Sequence, residues 1–376
     1  MAKTSSALRI GVVGLGMGKS HARAILDLPG AELAAIAEPN PARLDDLVQG
    51  VVKDKGAKAA AVLRTVPIYA DYRDMAKNAG LDGIVLALPT DLHFPATDYC
   101  LKQGVAVLCE KPPTVNAKEM IRLAKLAKAK RLTYMFCRQQ RFDPAKFATR
   151  ALIESGKLGK VYHAESRWMR TRWIPWRGGW GVNNTRGGGV LLDLGIHQLD
   201  DAWFTMGCPK PVDVSAAMHC AFSHLAKGRK DLTLPYNADD NTVAFIRFAN
   251  GATLSMMVTF ASNIVDQPRL GTDGEITERV NWIDLQVLGS KGGVDVTKRR
   301  FISDRGADAV KIGPLPIPAK TAKMKSGILG QMADFVDAIR SKREPMNPAS
   351  QAVQLMQMLD AIRRSAETGR SVAIRD

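Results

Sequence analysis

Two side chains able to hold or move a proton share one apolar helix in this sequence. In GGGVLLDLGIHQLD (187–200), Asp193 and His197 lie four residues apart, a spacing that puts both on one helical face. Val190, Leu191, Leu192, Leu194, Ile196 and Leu199 surround them. A carboxyl group and an imidazole on so apolar a helix cost free energy unless they are paired or belong to a site. Imidazole titrates near pH 6.5, roughly where a general base works best. The plainer alternative is an Asp and a His that touch each other or cap a neighbour. A third group is Lys111, which with Glu110 and Pro112 ends the run GVAVLCEKP (104–112). Open parallel sheets bind ligands at the carboxyl ends of their strands. A lysine delivered there can hydrogen-bond a developing alkoxide, although alone it would read as an ordinary strand-end lysine. Lys111–Pro112 is a candidate cis bond, because X–Pro bonds have only a small trans preference. A metal site needs three or four ligands at suitable spacing, and only Asp200 and Asp201 lie near Asp193 and His197. No metal is expected.

A second constellation lies near the start. GVVGLGMGKSHA (11–22) follows an apolar run and opens a helical one. Gly14, Gly16 and Gly18, with Met17 between the last two, spell GxGxG, one residue shorter than the common GxGxxG fingerprint. Glycines there allow a sharp turn and a close approach to a pyrophosphate, which the helix N-terminus favours. A glycine-rich turn that binds nothing is the alternative, but Glu38 follows at the end of the second apolar run. An acid about 20 residues past the glycines accepts hydrogen bonds from ribose hydroxyls and repels a 2′-phosphate. NAD is therefore expected over NADP. Asn40 is a further candidate for the ribose, and Arg43 keeps NADP open.

Elements that would position these groups are legible in the patterning. Short apolar runs at 8–13, 33–38, 67–69, 83–88, 105–110 and 132–137 alternate with helical stretches near His21 and at 41–52, 71–78, 94–104 and 116–129. Such alternation predicts an α/β fold, an N-terminal Rossmann doubly wound parallel sheet. After a helix at 143–159 come alternating strands at 160–168, 212–220, 242–248, 253–260 and 283–289, with ANGA (249–252) as a hairpin turn. They predict a C-terminal α+β domain with a large, mostly antiparallel open sheet. One helix is expected over 187–207, a connector over 313–327, helices near 326–342 and 349–368 and a last strand near 371–374. The domains are placed at 1–140, for NAD(P), and 141–376, for substrate binding and oligomerisation, with the C-terminal helices packing back on the first.

The 376 residues are 46% apolar and 24% charged, with a net charge of +16. These values suit two globular cores. Anions in general are favoured, but no nucleic-acid-binding signature accompanies the charge. The denser run KEMIRLAKLAKAKR (118–131) has helical apolar spacing, so its lysines read as a solvated face. No apolar run approaches the roughly 20 residues of a membrane span. The first apolar stretch is broken by glycines and has no small-residue cleavage site, so a cytoplasmic protein is expected. The five cysteines, at 100, 109, 137, 208 and 220, form no CxxC pair and read as buried free thiols. RWMRTRWIPWRGGWGVNN (167–184) carries four tryptophans and four arginines. Aromatic faces pack on sugar C–H surfaces, and guanidinium groups donate forked hydrogen bonds to hydroxyls or carboxylates. Arg170, Arg172 and Trp176 are candidates for a carbohydrate pocket wall, against the alternatives of an oligomer contact or loop packing. Arg138 and Arg141 are further candidates to face a pocket.

Together these motifs resemble the Gfo/Idh/MocA family, named for glucose–fructose oxidoreductase and inositol dehydrogenase. The resemblance covers nearly the whole chain. It rests on TDLHFPATDYCLKQGVAVLCEKP (90–112), the Gly-Gly-Gly…Asp…His helix, NADDNTVAFIRFANGATLSMMVTF (237–260) and RRSAETGRSVAI (363–374). It implies an NAD(P)-dependent oxidoreductase moving hydride between nicotinamide and a secondary alcohol or ketone of a sugar, polyol or sugar derivative. His197 would be the general base, Lys111 would hold the reacting oxygen, and Asp193 would hold a substrate hydroxyl. Pro89, Thr90, His93, Glu110 and Lys111 would line the cofactor. The resemblance also implies a homodimer or homotetramer through the second-domain sheet. Two alternatives are a glycoside-cleaving enzyme that oxidises its sugar transiently, and a nucleotide-sensing regulator, which would need the glycine loop but no general base.

Overall fold

The computed structural model describes residues 7–263, 281–304, 306 and 309–374. The chain divides into two compact units. One combines residues up to Phe142 with Lys325–Gln354, and the other combines Asp143–Met324 with the chain from Leu355 onward.

The first unit runs β1 (Leu8–Val13), α1 (Gly18–Leu26), β2 (Ala31–Ala37), α2 (Pro41–Lys55), α3 (Ala57–Leu63), β3 (Ile68–Tyr69), α4 (Tyr72–Asn78), β4 (Gly83–Leu86), α5 (His93–Lys102), β5 (Ala106–Cys109), α6 (Ala117–Lys130) and β6 (Tyr134–Phe136). Its six strands are parallel, in the order β3-β2-β1-β4-β5-β6. β4 and β5 are buried along their whole length, as strands covered on both faces must be. Ile10, Val12, Ile36, Ile84, Val107 and Leu108 lose all exposure. Each such side chain contributes about 1.5–3 kcal/mol by leaving water. Helix starts are set locally. Asn40 and Asn116 accept main-chain N–H groups at the first turns of α2 and α6, and Pro41 occupies the position where a missing N–H costs nothing. The strand order changes direction between β1 and β4, the switch point outside which such sheets bind ligands.

The second unit opens with α7 (Pro144–Glu154), capped by Asp143. The helix expected to run to 159 stops earlier, where Gly156 and Gly159 take positive φ. Then follow β7 (Val161–Arg170), a π-helical turn (Leu191–Gly195), α8 (Ile196–Thr205), β8 (Pro211–His219), β9 (Asn241–Phe248), β10 (Thr253–Thr259), β11 (Asn281–Gly289), β12 (Gly292–Asp295), β13 (Arg300–Asp304), β14 (Val310–Pro314) and α9 (Ala319–Ala322). Helices α10 (Gly327–Ser341) and α11 (Ala349–Thr368) and strand β15 (Val372–Ala373) complete the chain. Nine strands form one sheet, in the order β14-β13-β12-β11-β7-β10-β9-β8-β15. All pairings are antiparallel except β7 with β10. The turn at 249–252 closes β9 onto β10, with Gly251 at φ 83. One face of β9 (Thr242, Ala244, Ile246, Phe248) is buried, while Val243 and Arg247 on the other are exposed. Helix α8, buried throughout, packs on β7, β10 and β11.

Three strands escaped the sequence reading. β12, β13 and β14 are four or five residues long, carry glycine or charge, and show little apolar alternation. The expected connector at 313–327 accordingly begins inside β14 and contains α9. The helix expected over 187–207 is also corrected: regular α-helix starts only at Ile196, after the π turn. Of the cysteines, Cys100, Cys109 and Cys137 are buried, but Cys220 is exposed.

Candidate active site

In the first unit the glycine loop joins β1 to α1 at the switch point. Gly14 has φ 77, and a Cβ there would stand 2.5 Å from the carbonyl oxygen of Ala87, so both conformation and space demand glycine. A Cβ on Gly18 would stand 3.0 Å from Val12, so this glycine lets α1 pack closely on β1 despite the shortened spacing. Gly16 differs, because a Cβ there would meet nothing within 4 Å. No protein neighbour requires glycine at that position, which fits a backbone kept open to a pyrophosphate at a helix N-terminus. Glu38 is buried. Its carboxylate accepts the N–H of Leu15 at 2.8 Å, the N–H of Asn40 at 3.0 Å and Nη1 of Arg43 at 3.3 Å. It therefore anchors the loop and still offers lone pairs to a ribose. Asn40 spends its carboxamide oxygen on Ala42 N, as the α2 cap. Met17 is half exposed at the start of α1. These residues fit a dinucleotide.

Lys111 follows β5 at a tightly held corner. The N–H of Glu110 donates to Leu86 O at 2.8 Å. The Glu110 carboxylate accepts the N–H of Lys111 at 3.0 Å through Oε2 and faces His21 Nε2 at 2.8 Å through Oε1. Burial alone would raise the Glu110 pKa, but the hydrogen bond and charge of His21 and the N–H of Lys111 outweigh it and hold the carboxyl at about 2. The Lys111–Pro112 bond is cis. Beyond it, Pro112 O lies 2.6 Å from Nδ1 of His93, whose Nε2 lies 2.8 Å from Leu88 O. A neutral ring can donate to only one of these carbonyls. Burial nonetheless pushes the His93 pKa below its ordinary value, ahead of the upward pull of Pro112 O and Glu110. Thr90, in the short turn after Pro89, is buried. Arg138 and Arg141 are fully buried. The N–H of Arg138 donates to Gln331 Oε1, and Arg141 bonds Met346 O and Gln351.

In the second unit Asp193 lies within the π turn and His197 in the first turn of α8. Single π turns within helices are frequent at functional sites. This one is anchored by Asp239. The Leu191 N–H donates to Asp239 Oδ2 at 2.8 Å, the Val190 N–H donates to Asp239 O at 2.8 Å, and Thr242 Oγ1 donates to the same carboxylate oxygen at 2.8 Å. Burial raises the Asp239 pKa against these hydrogen bonds. Gly189, at φ 105, lies against Asp239 so closely that any Cβ would collide with the carboxylate. His197 is 6% exposed, and its ring centroid lies 5.7 Å from that of Trp168 on β7. The Ser166 hydroxyl lies within hydrogen-bond distance of Gln198 O and Oε1, fastening the next helical residue to the same strand.

The tryptophan–arginine stretch folds onto itself. The Arg170 guanidinium lies over Trp168 and Trp173, at 5.0 and 4.7 Å from the ring centroids. Trp176 meets the edge of Tyr236 and carries the Arg229 guanidinium 4.2 Å from its centroid. Arg172 lies over Phe222 and donates to the carbonyls of Thr171 and Ser262 and to the Asn263 side chain. Arg172 is thus a brace between β7 and the segment after β10. His21 and Asp239 are not singled out by the sequence. Asp239 was signalled only by an Asp-Asp pair ahead of a strand, and His21 only by its place in the helix after the glycines.

A six-stranded parallel sheet in this order, with glycines at its switch point, defines a dinucleotide-binding fold. The chain belongs to the Gfo/Idh/MocA oxidoreductase family: residues 8–137 match its NAD-binding Rossmann model and 150–374 its C-terminal alpha/beta domain. Curated relatives include D-glucoside 3-dehydrogenase of Escherichia coli K12, 26% identical over 385 residues and covering 99% of each chain. Inositol 2-dehydrogenase of Rhizobium meliloti is 26% identical over 371 residues, 98% of this chain and 99% of the relative. Among solved structures, a levoglucosan dehydrogenase in complex with NADH and levoglucosan superposes with a TM-score of 0.77 at 21% identity, over 99% of this chain and 100% of that one.

Proposed function

We propose that this protein is an NAD-dependent dehydrogenase or reductase acting on a secondary alcohol or ketone of a sugar, polyol or close derivative. The observation that carries the reading is the buried imidazole of His197, set against Trp168 just past a π turn that holds Asp193. Relatives that match over nearly their whole length are named as glucoside and inositol dehydrogenases, which supports the substrate class. NAD, held by Gly14, Gly16, Gly18 and Glu38, supplies the hydride acceptor at its nicotinamide ring. His197 takes the alcohol proton, Lys111 donates a hydrogen bond to the same oxygen, and Asp193 accepts one from a neighbouring hydroxyl. The acidic Glu38 disfavours a 2′-phosphate. The second-unit sheet, with Tyr162, Val243 and Ile302 exposed, pairs subunits.

Absorbance of NADH and NADPH, followed across D-glucosides, levoglucosan, inositols and keto-sugars, tests this. Turnover on at least one of them is expected, with NAD preferred. His197→Ala should lower kcat by about 10²–10⁴-fold. Cofactor binding without turnover on any polyol or sugar would sink the dehydrogenase reading.

A further inference from the structure

The main chain of Lys111 is tied to α1 through a side chain that neither the glycine turn nor the catalytic set uses. His21 lies in α1, fully buried. Its Nε2 is 2.8 Å from Oε1 of Glu110, and the other oxygen of that carboxylate accepts the N–H of Lys111 at 3.0 Å. One carboxylate therefore bridges an imidazole on α1 and the main chain of the lysine. Helix α1 begins at the glycine loop, so the same helix borders the phosphate seat and the lysine's support.

Two simpler accounts of this pair are weaker. The first is a metal site, since His21, Glu110 and Cys137 form a group of three metal-capable side chains among the described residues. Two ligands on a tetrahedral ion with bonds of about 2.0–2.1 Å stand about 3.3 Å apart. The His21–Glu110 separation of 2.8 Å is that of a hydrogen bond, and Cys137 Sγ stands off at 4.0 Å. The second is plain stabilisation of the core. Stability alone does not call for a buried imidazole–carboxylate pair, because an apolar pair of the same volume often stabilises a core as well. This pair also leaves His21 Nδ1 buried with no hydrogen-bond partner, a further cost. Its place immediately before Lys111, with one oxygen spent on that residue's own N–H, points to the lysine as the beneficiary.

We propose that His21 is a positioning residue for Lys111, acting through the Glu110 carboxylate to fix the backbone from which the lysine side chain departs. The inference rests on the assignment of Lys111 to the reaction made above. Displacing a catalytic group by about 1 Å costs as much as ~10²-fold in rate, so a lysine whose anchor is cut should slow the chemical step and leave cofactor affinity alone.

Steady-state kinetics with NAD⁺ and the best substrate of the panel, on the full chain, tests this. His21→Leu is expected to lower kcat by about 10–100-fold while the KM for NAD⁺ stays within about threefold. His21→Gln, whose amide N–H can replace Nε2–H, should recover most of the loss. In a Lys111→Ala background His21→Leu should cost nothing further, because a residue acting through another has no effect once that other is gone. Amide exchange at Lys111, followed without added cofactor, should be faster in His21→Leu than in the parent. Should His21→Leu fail to fold, His21→Met, which fills the space with no N–H to offer, should show the same kinetic pattern and the same faster exchange. Full kcat in His21→Leu alongside an inactive Lys111→Ala would overturn the proposal alone, as would losses that multiply in the Lys111→Ala background or unchanged exchange. Full activity in Lys111→Ala would remove the role of Lys111 itself, and the positioning role with it.

Discussion

At the scale of single residues, a few polar groups of this protein are held in apolar surroundings. Glu110 shows how. Its folded pKa of about 2 lies below the ordinary value of 4.5, because the hydrogen bond and charge of His21 and the N–H of Lys111 overcome the burial that would raise it. A depressed folded pKa means that the unfolded state binds its proton first as pH falls. The stability Glu110 contributes is therefore complete above about 4.5 and is lost as pH drops toward about 2. Urea unfolding of the parent and of Glu110→Gln should then differ at pH 6 and converge as the medium approaches pH 2. A gap that stayed constant across that window would show that the carboxylate is not held in its charged form. Asp193 and His197 stand out at this scale by residue type and spacing, and Lys111 only by its place at the end of an apolar run. His21 does not, because its partner is 89 positions away and no local pattern marks a histidine that meets so distant a carboxylate.

At the scale of elements, the decisive piece is the start of α8. An α-helix over the whole of 187–207 would satisfy the apolar periodicity, yet the chain inserts a π turn at Leu191–Gly195 and braces it with Asp239. Removing that carboxylate should leave the N–H of Leu191 and the hydroxyl of Thr242 without their partner. Asp239→Ala should cost about 1–3 kcal/mol in denaturant unfolding, the penalty for buried unpaired polar groups. It should also lower kcat, through Asp193 and His197, while NADH fluorescence titration gives an unchanged affinity, because the glycine loop belongs to the other unit. Loss of NADH binding in parallel with kcat would show a global rather than a local effect. The parallel strands were legible because each is a short apolar run between helical patterns. The strands β12–β14 were not, being short, partly charged and held by pairing with neighbours already in the sheet.

At the scale of the whole molecule, the nine-stranded sheet buries one face under α8 and leaves apolar residues on the other. Val243 is 44% exposed and faces Ala217 and Met257 on the neighbouring strands. Exposed apolar surface of this kind favours self-association. Sedimentation should give at least twice the 40.9 kDa of one chain, and Val243→Arg should shift the population toward single chains. A parent that sediments as a single chain at micromolar concentration would rule out pairing through this face.

The sequence by itself determined the alternation of strands and helices, the glycine turn, the acid that ends β2 and the order of the lysine, acid and imidazole. These depend on local periodicity and backbone preference, which act over a few residues. Tertiary structure alone decided that Gly18 serves as the packing glycine in a shortened loop, that Glu110 bridges His21 and Lys111, that Asp239 anchors the π turn, and that Arg172 braces the sheet rather than standing free. Each of those depends on atoms brought together from distant parts of the chain, where hydrogen-bond geometry and burial are settled only once the strands have taken their order.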